Sequence, residues 1–139
     1  MAQSMAHTAE GAFIGERSSP AHQAYQILLV AFTIAPIVAG VDKFLHLLTN
    51  WDQYLAPWVV SLSPISGHDL MLIAGVVEIA AGVLVAIKPK IFAYVVAAWL
   101  LWIIIDLVSM GTYFDIALRD LGLMLGALAL ARLSAVFSK

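Results

Sequence analysis

The residues of this sequence that could do chemistry are ionisable side chains within long apolar segments. An ionised group at the centre of a membrane-spanning helix costs about 2.5–3.5 kcal/mol on insertion scales, so such groups are kept for a structural or functional reason. Carboxylates beside lysine and arginine could lock helices together, hold a proton or bind a polar headgroup. The polar cluster that we single out comprises Asp42, Lys43, His46, Glu78, Asp106, Asp115, Arg119 and Asp120.

The depths of these groups coincide. With a helical rise of about 1.5 Å per residue, Asp42 lies about 9 Å, Asp106 about 6 Å and Arg119 about 10 Å inside the outer ends of their helices. Alternate helices run in opposite directions, so these residues are predicted to share one layer in the outer half of a bilayer. Glu78 is predicted deeper, about 13 Å below Asp69 and close to the midplane.

Two interpretations of the cluster stay open. In the structural one, Lys43 and Arg119 pair with aspartates across helices, and Asp115 pairs with Arg119 one turn along the same helix. In the functional one, the cluster forms an outward-opening pocket for a proton, a quinone headgroup or a partner's charged group. Glu78 favours the functional interpretation, because it is alone at mid-depth. Its expected partner is Lys43, which is too shallow to reach it without bending inward.

The composition places these charges in a membrane. Hydrophobic residues make up 63% of the chain and charged residues only 12%, and the mean hydropathy is +0.96. A soluble domain is about half apolar and a quarter charged. The net charge of −2 does not supply the basic face that nucleic-acid binding needs. The predicted partner is therefore the lipid bilayer, and the absence of cysteine excludes disulfides and thiolate metal sites.

The elements that must position the cluster are four apolar runs, at about residues 25–48, 69–87, 91–110 and 114–137. Each is long enough to cross a bilayer core, which takes about 20 helical residues. We predict an all-α fold, an antiparallel up-down bundle of four transmembrane helices. Residues 1–23 are predicted to be a polar cytoplasmic tail and residues 24–139 a single membrane domain.

The connections refine this architecture. The turn Lys88-Pro89-Lys90 is very short, which makes the second and third helices antiparallel neighbours. In the long connection between the first two helices, the aromatic residues Trp51, Tyr54 and Trp58 recur at helical spacing. This pattern predicts a short interfacial helix with its aromatic side toward the headgroups.

The orientation follows from lysine and arginine in the short loops. The 88–90 turn and the C-terminal end are basic, whereas residues 49–68 and 111–113 contain no lysine or arginine. The positive-inside rule then places both termini in the cytoplasm. The expected location is the inner membrane of a bacterium, with the aromatic connection facing outward.

Small or aromatic residues line one face of each of three predicted helices. Small residues form two stripes, which are typical of close helix packing: Gly75 and Gly82 with Glu78 on the second helix, and Gly122, Gly126 and Ala129 with Arg119 on the fourth. On the third helix, Trp99 and Trp102 share a face with Asp106 and Ser109. These tryptophans could form the floor of a headgroup pocket or pack against other helices.

Metal, cofactor and catalytic motifs are not recognised. His7, His22, His46 and His68 are scattered along the chain and have no metal-ligand spacing. We therefore predict no catalytic residue, no metal ligand and no cofactor held through protein ligands. A quinone or a lipid is the only small molecule that the sequence leaves open.

Two short motifs resemble a known family. The segment Ala39-Gly40-Val41-Asp42-Lys43-Phe44 resembles the G-x-x-K segment of DoxX-like small membrane proteins, and residues 75–84 resemble their G-x-x-E-x-x-x-G-x-L helix. The resemblance covers residues 25–133. It implies a four-helix bundle in which Lys43 and Glu78 form a polar pair, and an association with membrane redox systems. Members that act on thiols would need cysteines, which this chain lacks.

These observations lead to one favoured function and two alternatives. The favoured function is an accessory or structural subunit of a larger membrane redox or electron-transfer complex, with other membrane subunits as partners and no catalysis of its own. The first alternative is a quinone-binding subunit of an oxidoreductase, in which Lys43, Asp106 and Arg119 hold the headgroup and Glu78 handles a proton. The second alternative is a small transporter or proton conductor.

Overall fold

The computed structural model describes residues 19–138, which form a helical bundle. The long helices are α1 (Pro20–Leu45), α3 (Gly67–Ile87), α4 (Pro89–Met110) and α5 (Phe114–Phe137). A 3-10 turn (Trp51–Tyr54) and the short helix α2 (Pro57–Leu62) lie between α1 and α3. All four long helices are long and apolar enough to cross a membrane. The predicted all-α bundle of four spanning helices is confirmed.

The helix ends differ from the predicted bounds by a few residues. Ser19 caps the start of α1 by accepting a hydrogen bond from the His22 amide, and Pro20 occupies the first turn. The last residues of the predicted tail, 20–23, therefore belong to α1, and residues 1–18 lie outside the described residues. At its other end α1 stops at Leu45, because His46 adopts a left-handed backbone conformation (φ 54°).

The four long helices pack as two close pairs. The most extensive contacts join α1 to α3 and α4 to α5, and smaller contacts join α3 to α4 and α1 to α5. The α3–α4 contact agrees with the prediction from the 88–90 turn, although each of these helices packs more closely with its other partner. The bundle thus consists of two helix pairs laid side by side.

Glycines set the distance between α1 and α3. A Cβ atom at Gly40 would lie 2.5 Å from the Gly75 carbonyl oxygen, and one at Gly82 would lie 2.6 Å from the Thr33 carbonyl oxygen. Real side chains do not tolerate such distances, so the two backbones approach this closely only because glycine occupies these positions. The predicted packing role of the stripe on α3 is confirmed.

Among the described residues, the second stripe, on α5, has its predicted packing role only at Gly126. A Cβ atom at Gly122 would meet no atom within 4 Å among the described residues, and Ala129 is exposed. Gly126 alone contacts the bundle, through the Phe32 ring. The face that α5 buries instead is made of Ala117, Ala127, Leu130, Ala131 and Ser134.

The two ends of the bundle are distinct. At one end, His22 and Tyr25 of α1 contact Phe137 of α5, with 5.6 Å between the Tyr25 and Phe137 ring centroids. At the other end, Tyr54 of the connection packs edge-on against Tyr113, 4.9 Å away. The interfacial helix expected between the first two spans is divided, because Pro57 starts α2 after the separate 3-10 turn.

Candidate functional site

The centre of the site is an ion pair between α1 and α3. Lys43 Nζ lies 2.7 Å from Glu78 Oε2, and the two side chains are only 5% and 10% exposed. Lys43, the expected partner of Glu78, thus reaches it despite the difference in depth that helical rise predicts. The close approach at Gly40 and Gly75 brings the start of the lysine side chain against α3, where a Cβ atom at Gly75 would lie 3.1 Å from Lys43 Cβ. The long lysine side chain then spans the difference in depth.

Trp51 covers the lysine from the side of the loop. The Lys43 ammonium lies 3.9 Å from the centroid of the Trp51 ring, a distance at which a cation is attracted to the aromatic face. The Trp51 indole N–H donates to Asp42 Oδ2 at 2.8 Å. One tryptophan therefore ties the ion pair to the end of α1, a role that its predicted interfacial position does not indicate.

Asp42 forms hydrogen bonds with the loop that follows α1. Its carboxylate accepts hydrogen bonds from the backbone amides of Leu47 (2.9 Å) and Leu48 (3.1 Å), besides that from Trp51. A negative charge near a helix C-terminus is unfavourable in itself, and these three donors offset the repulsion. The prediction that Asp42 pairs with a cation across helices is wrong among the described residues. It binds its own connecting loop instead.

Glu78 also borders a cleft between α3 and α4 that encloses about 290 Å³. The Trp99 indole N–H donates to Glu78 Oε1 at 3.3 Å, and Trp102 lies farther along the same wall. The rest of the lining is apolar, from Val77, Ala81, Val95 and Ala98. The sequence placed the two tryptophans on one face of their helix with Asp106, and the structure places them beside a different carboxylate.

Asp106 holds the connection from the other side of the bundle. Its Oδ1 accepts a hydrogen bond from the backbone amide of Ala56 at 2.9 Å, and both residues are buried. One turn away, the Trp58 indole donates to Ser109 Oγ at 2.7 Å. Asp106 thus acts as an anchor for the start of α2, and no ion pair joins it to Lys43 or Arg119 in the part of the chain that is described.

The charged residues of α5 are divided between the interior and the surface. Asp120 is half-buried and close enough to Glu78 and Lys43 to interact electrostatically with both. Asp115 and Arg119 are exposed, and within residues 19–138 they form no ion pair with each other. The predicted pairing of Asp115 with Arg119 is therefore wrong.

His46 and His68, which are far apart in the sequence, meet at the N-terminal end of α3. The rings of His46 and His68 stack with their centroids 5.8 Å apart, and His68 Nδ1 lies 2.8 Å from Asp52 Oδ2. Linear spacing gave no signal of this contact, because it depends on how the connection folds back. In the described range, no three histidine or acidic residues are arranged to hold a metal ion.

The buried carboxylates of the described residues therefore belong to two hydrogen-bonded groups rather than to one pocket. The first joins Asp42, Trp51, Lys43, Glu78 and Trp99, and the second joins Asp106 to Ala56. The contacts of both groups hold the connection between α1 and α3, or a neighbouring helix, against the bundle. Glu78 also borders the cleft between α3 and α4.

No protein-family model matches this chain, and no curated protein and no solved structure shows significant similarity to it. The resemblance of residues 39–44 and 75–84 to DoxX-like motifs therefore stays a prediction.

Proposed function

We propose that this small membrane protein is an accessory subunit that joins a larger membrane assembly through the outward face of α5. We define this face by Asp115, Arg119, Gly122 and Ala129. The proposal rests on the exposure of Arg119. Its guanidinium lies in the second turn of α5, a helix apolar enough to span a membrane. Within residues 19–138 it has no ion-pair partner.

The energetic argument concerns the environment of that guanidinium. Charged residues in membrane spans usually face the bundle interior, a polar cavity or another charged group. Arg119 faces away from the interior and does not pair with the neighbouring Asp115. A polar or acidic group on a second protein would complete its hydrogen bonds and lower the cost of keeping it within the bilayer.

The small residues on the same face support close contact with another helix. Gly122 lies in open space on this face, and a small residue at such a position lets another helix backbone approach closely in a membrane. A stripe of this kind on α3 is filled by α1 within the chain, as the Gly40 and Gly75 contact shows. On α5, the surface at Gly122 has no such partner among the described residues.

The buried charged residues also support an accessory role, because their contacts hold parts of the chain together. Lys43 and Glu78 hold α1 to α3, Asp42 holds the loop after α1, and Asp106 holds Ala56. Each of these contacts gives the bundle a defined shape. A pre-shaped bundle with an outward docking face is what a scaffold subunit requires.

The setting that we propose is a redox or electron-transfer complex of a bacterial inner membrane, on the ground of the DoxX-like motifs around Lys43 and Glu78. Ser19, at the start of α1, and Phe137, at the end of α5, lie at the same end of the bundle as the basic turn at Lys88 and Lys90, as the contact of Tyr25 with Phe137 indicates. By the positive-inside rule this end would face the cytoplasm.

Co-purification from native membranes tests the proposal. The full chain should co-purify with other membrane subunits in mild detergent. Arg119→Leu should reduce their amount at least about tenfold, because a central interface arginine is often worth about 2 kcal/mol or more. Arg132→Leu is the matched control, since it removes an exposed arginine from the same helix outside the docking face. A monodisperse particle free of partners would contradict the proposal.

A further inference from the structure

His68, at the start of α3, contacts both ends of the loop formed by residues 46–52. Its ring stacks on the ring of His46, with 5.8 Å between the centroids and 22° between the ring planes. Its Nδ1 atom lies 2.8 Å from Asp52 Oδ2. Because His46 begins the loop and Asp52 ends it, one histidine holds both ends of the loop against α3.

The two histidines can change their charge near neutral pH. Histidine is the side chain that ordinarily becomes charged between about pH 8 and about pH 5. His46 is exposed and the side chain of His68 is 53% exposed, so protons reach both rings from water. Residues 44–87 contain no lysine or arginine, so in this stretch of the chain only the histidines can become positively charged.

Protonation acts on the two ends of the loop in opposite directions. A protonated His68 keeps its contact with Asp52, because a charged imidazole donates to a carboxylate more strongly than a neutral one does. A protonated His46 is repelled by the positive ring of His68 on which it stacks. No carboxylate forms an ion pair with His46 among residues 19–138 to offset this repulsion. Acid therefore weakens the His46 end of the loop and strengthens the Asp52 end.

The other charged groups near the two rings do not reverse this balance. On α1, Asp42 directs its carboxylate at backbone amides of the loop, and Lys43 is paired with Glu78. On α3, Asp69 is exposed beside His68 and forms no ion pair with either histidine in the described part of the chain. The stacked rings and the carboxylate on the 3-10 turn therefore determine the response of the loop to acid.

The His46 end of the loop contains the amides that bind Asp42. Leu47 and Leu48, which follow His46 directly, donate to the Asp42 carboxylate at 2.9 and 3.1 Å. His46 itself has a left-handed backbone conformation (φ 54°) at the point where the chain leaves α1. Displacement of the His46 ring should therefore loosen these two amides first.

We propose that His46 and His68 form an acid-sensitive clamp, which holds loop 46–52 against α3 at neutral pH and releases its His46 end when both rings are protonated. The clamp responds to the pH on the side opposite to the 88–90 turn, because α1 ends and α3 begins at that side. The proposal goes beyond the accessory role and does not depend on it, because the clamp contains no residue of the α5 docking face.

Hydrogen exchange at the amides of Leu47 and Leu48 tests the proposal, measured by NMR on the full chain in mild detergent. The results are compared as protection factors, which remove the pH dependence of the intrinsic exchange rate. Between about pH 8 and about pH 5, both protection factors should fall about threefold or more, because two unit charges 5.8 Å apart repel by this factor even in water. The Lys88 amide, which bonds to Leu84 at the other end of α3, should keep its protection.

Two substitutions separate the clamp from general effects of acid. His68→Phe keeps an aromatic ring against His46 and removes the charge, so the two protection factors should no longer fall with pH. Because this variant also loses the contact with Asp52, the fall between the two pH values is compared rather than the protection itself. His22→Phe is the matched control, since it removes a histidine that packs on aromatic rings at the opposite end of the bundle, and it should leave the fall intact.

Four results would overturn the proposal. The first is an unchanged protection of the two loop amides between the two pH values. The second is an equal fall at the Lys88 amide, which would mean that acid loosens the whole bundle. The third is a fall that persists in His68→Phe, and the fourth is a fall that disappears in His22→Phe.

Discussion

The ammonium of Lys43 on α1 and the carboxylate of Glu78 on α3 lie 2.7 Å apart between side chains that are 5% and 10% exposed. Removing one member of a buried pair leaves the other charge uncompensated, whereas removing both does not. Glu78→Gln or Lys43→Met alone should therefore lower the free energy of unfolding by about 3–5 kcal/mol. The double variant should recover part of this loss.

A double-mutant cycle measured by denaturant titration in mild detergent checks this expectation. The coupling energy should exceed about 1 kcal/mol, as for residues in direct contact. If the two single effects added to the double effect, Lys43 and Glu78 would not interact in the folded protein, and the α1–α3 contact would rest on packing alone.

Trp51 has two separable contacts, one through its ring and one through its N–H. Trp51→Phe keeps an aromatic face for Lys43 and removes the donor to Asp42, whereas Trp51→Leu removes both. The leucine variant should be less stable than the phenylalanine variant by about 0.5–2 kcal/mol, the range of a cation–π contact. Thermal unfolding of the two variants side by side measures the difference. Equal stability would show that the ring face contributes nothing.

The glycines of the two stripes should respond differently to a methyl group. A Cβ atom at Gly40 would lie 2.5 Å from a backbone oxygen of α3, whereas one at Gly122 would meet nothing within 4 Å. Gly40→Ala should lower the free energy of unfolding by about 1–3 kcal/mol, as overpacking does. Gly122→Ala should leave the stability of the isolated chain unchanged or slightly raised, since alanine favours helix. A loss of stability for Gly122→Ala would mean that the chain itself covers this face.

The hydrogen bond from the Ala56 amide to Asp106 should limit local opening of the connection between α1 and α3. Asp106→Ala removes the acceptor and should make the Ala56 amide exchange with solvent deuterium about tenfold or more faster, because a bond to a charged acceptor is worth about 1.5–3 kcal/mol. Asp106→Asn keeps a carbonyl oxygen and should have a smaller effect. Amides in the middle of α4 serve as the internal control. Unchanged exchange at Ala56 would contradict the proposed anchor.

The sequence was sufficient for the four spans because hydropathy and length determine them directly. It was less informative for Lys43 and Glu78. Lys43 was the expected partner of Glu78, but helical rise alone placed the two residues at different depths. The arithmetic of rise leaves out the length of the lysine side chain and the close backbone approach that Gly40 and Gly75 permit.

The remaining contacts depend on the tertiary path of the connection. Asp42 and Asp106 bind backbone amides of residues 47, 48 and 56, and no side-chain pattern marks those amides in advance. From charge complementarity, we expected both aspartates to form ion pairs with cations on other helices. The contact of His46 with His68 could not be predicted from the sequence for the same reason. It forms because the connection returns to the start of α3.

The central claim is that the α5 face is occupied by another subunit in the native membrane. Site-specific photo-crosslinking with benzoylphenylalanine in place of Leu125, an exposed residue beside Gly122, tests it most directly. The control carries the same group in place of Ile105, which is exposed on α4. The account predicts a discrete adduct with a different membrane protein from position 125 and none from position 105. Adducts with lipid alone at both positions, or with copies of this chain alone, would contradict it.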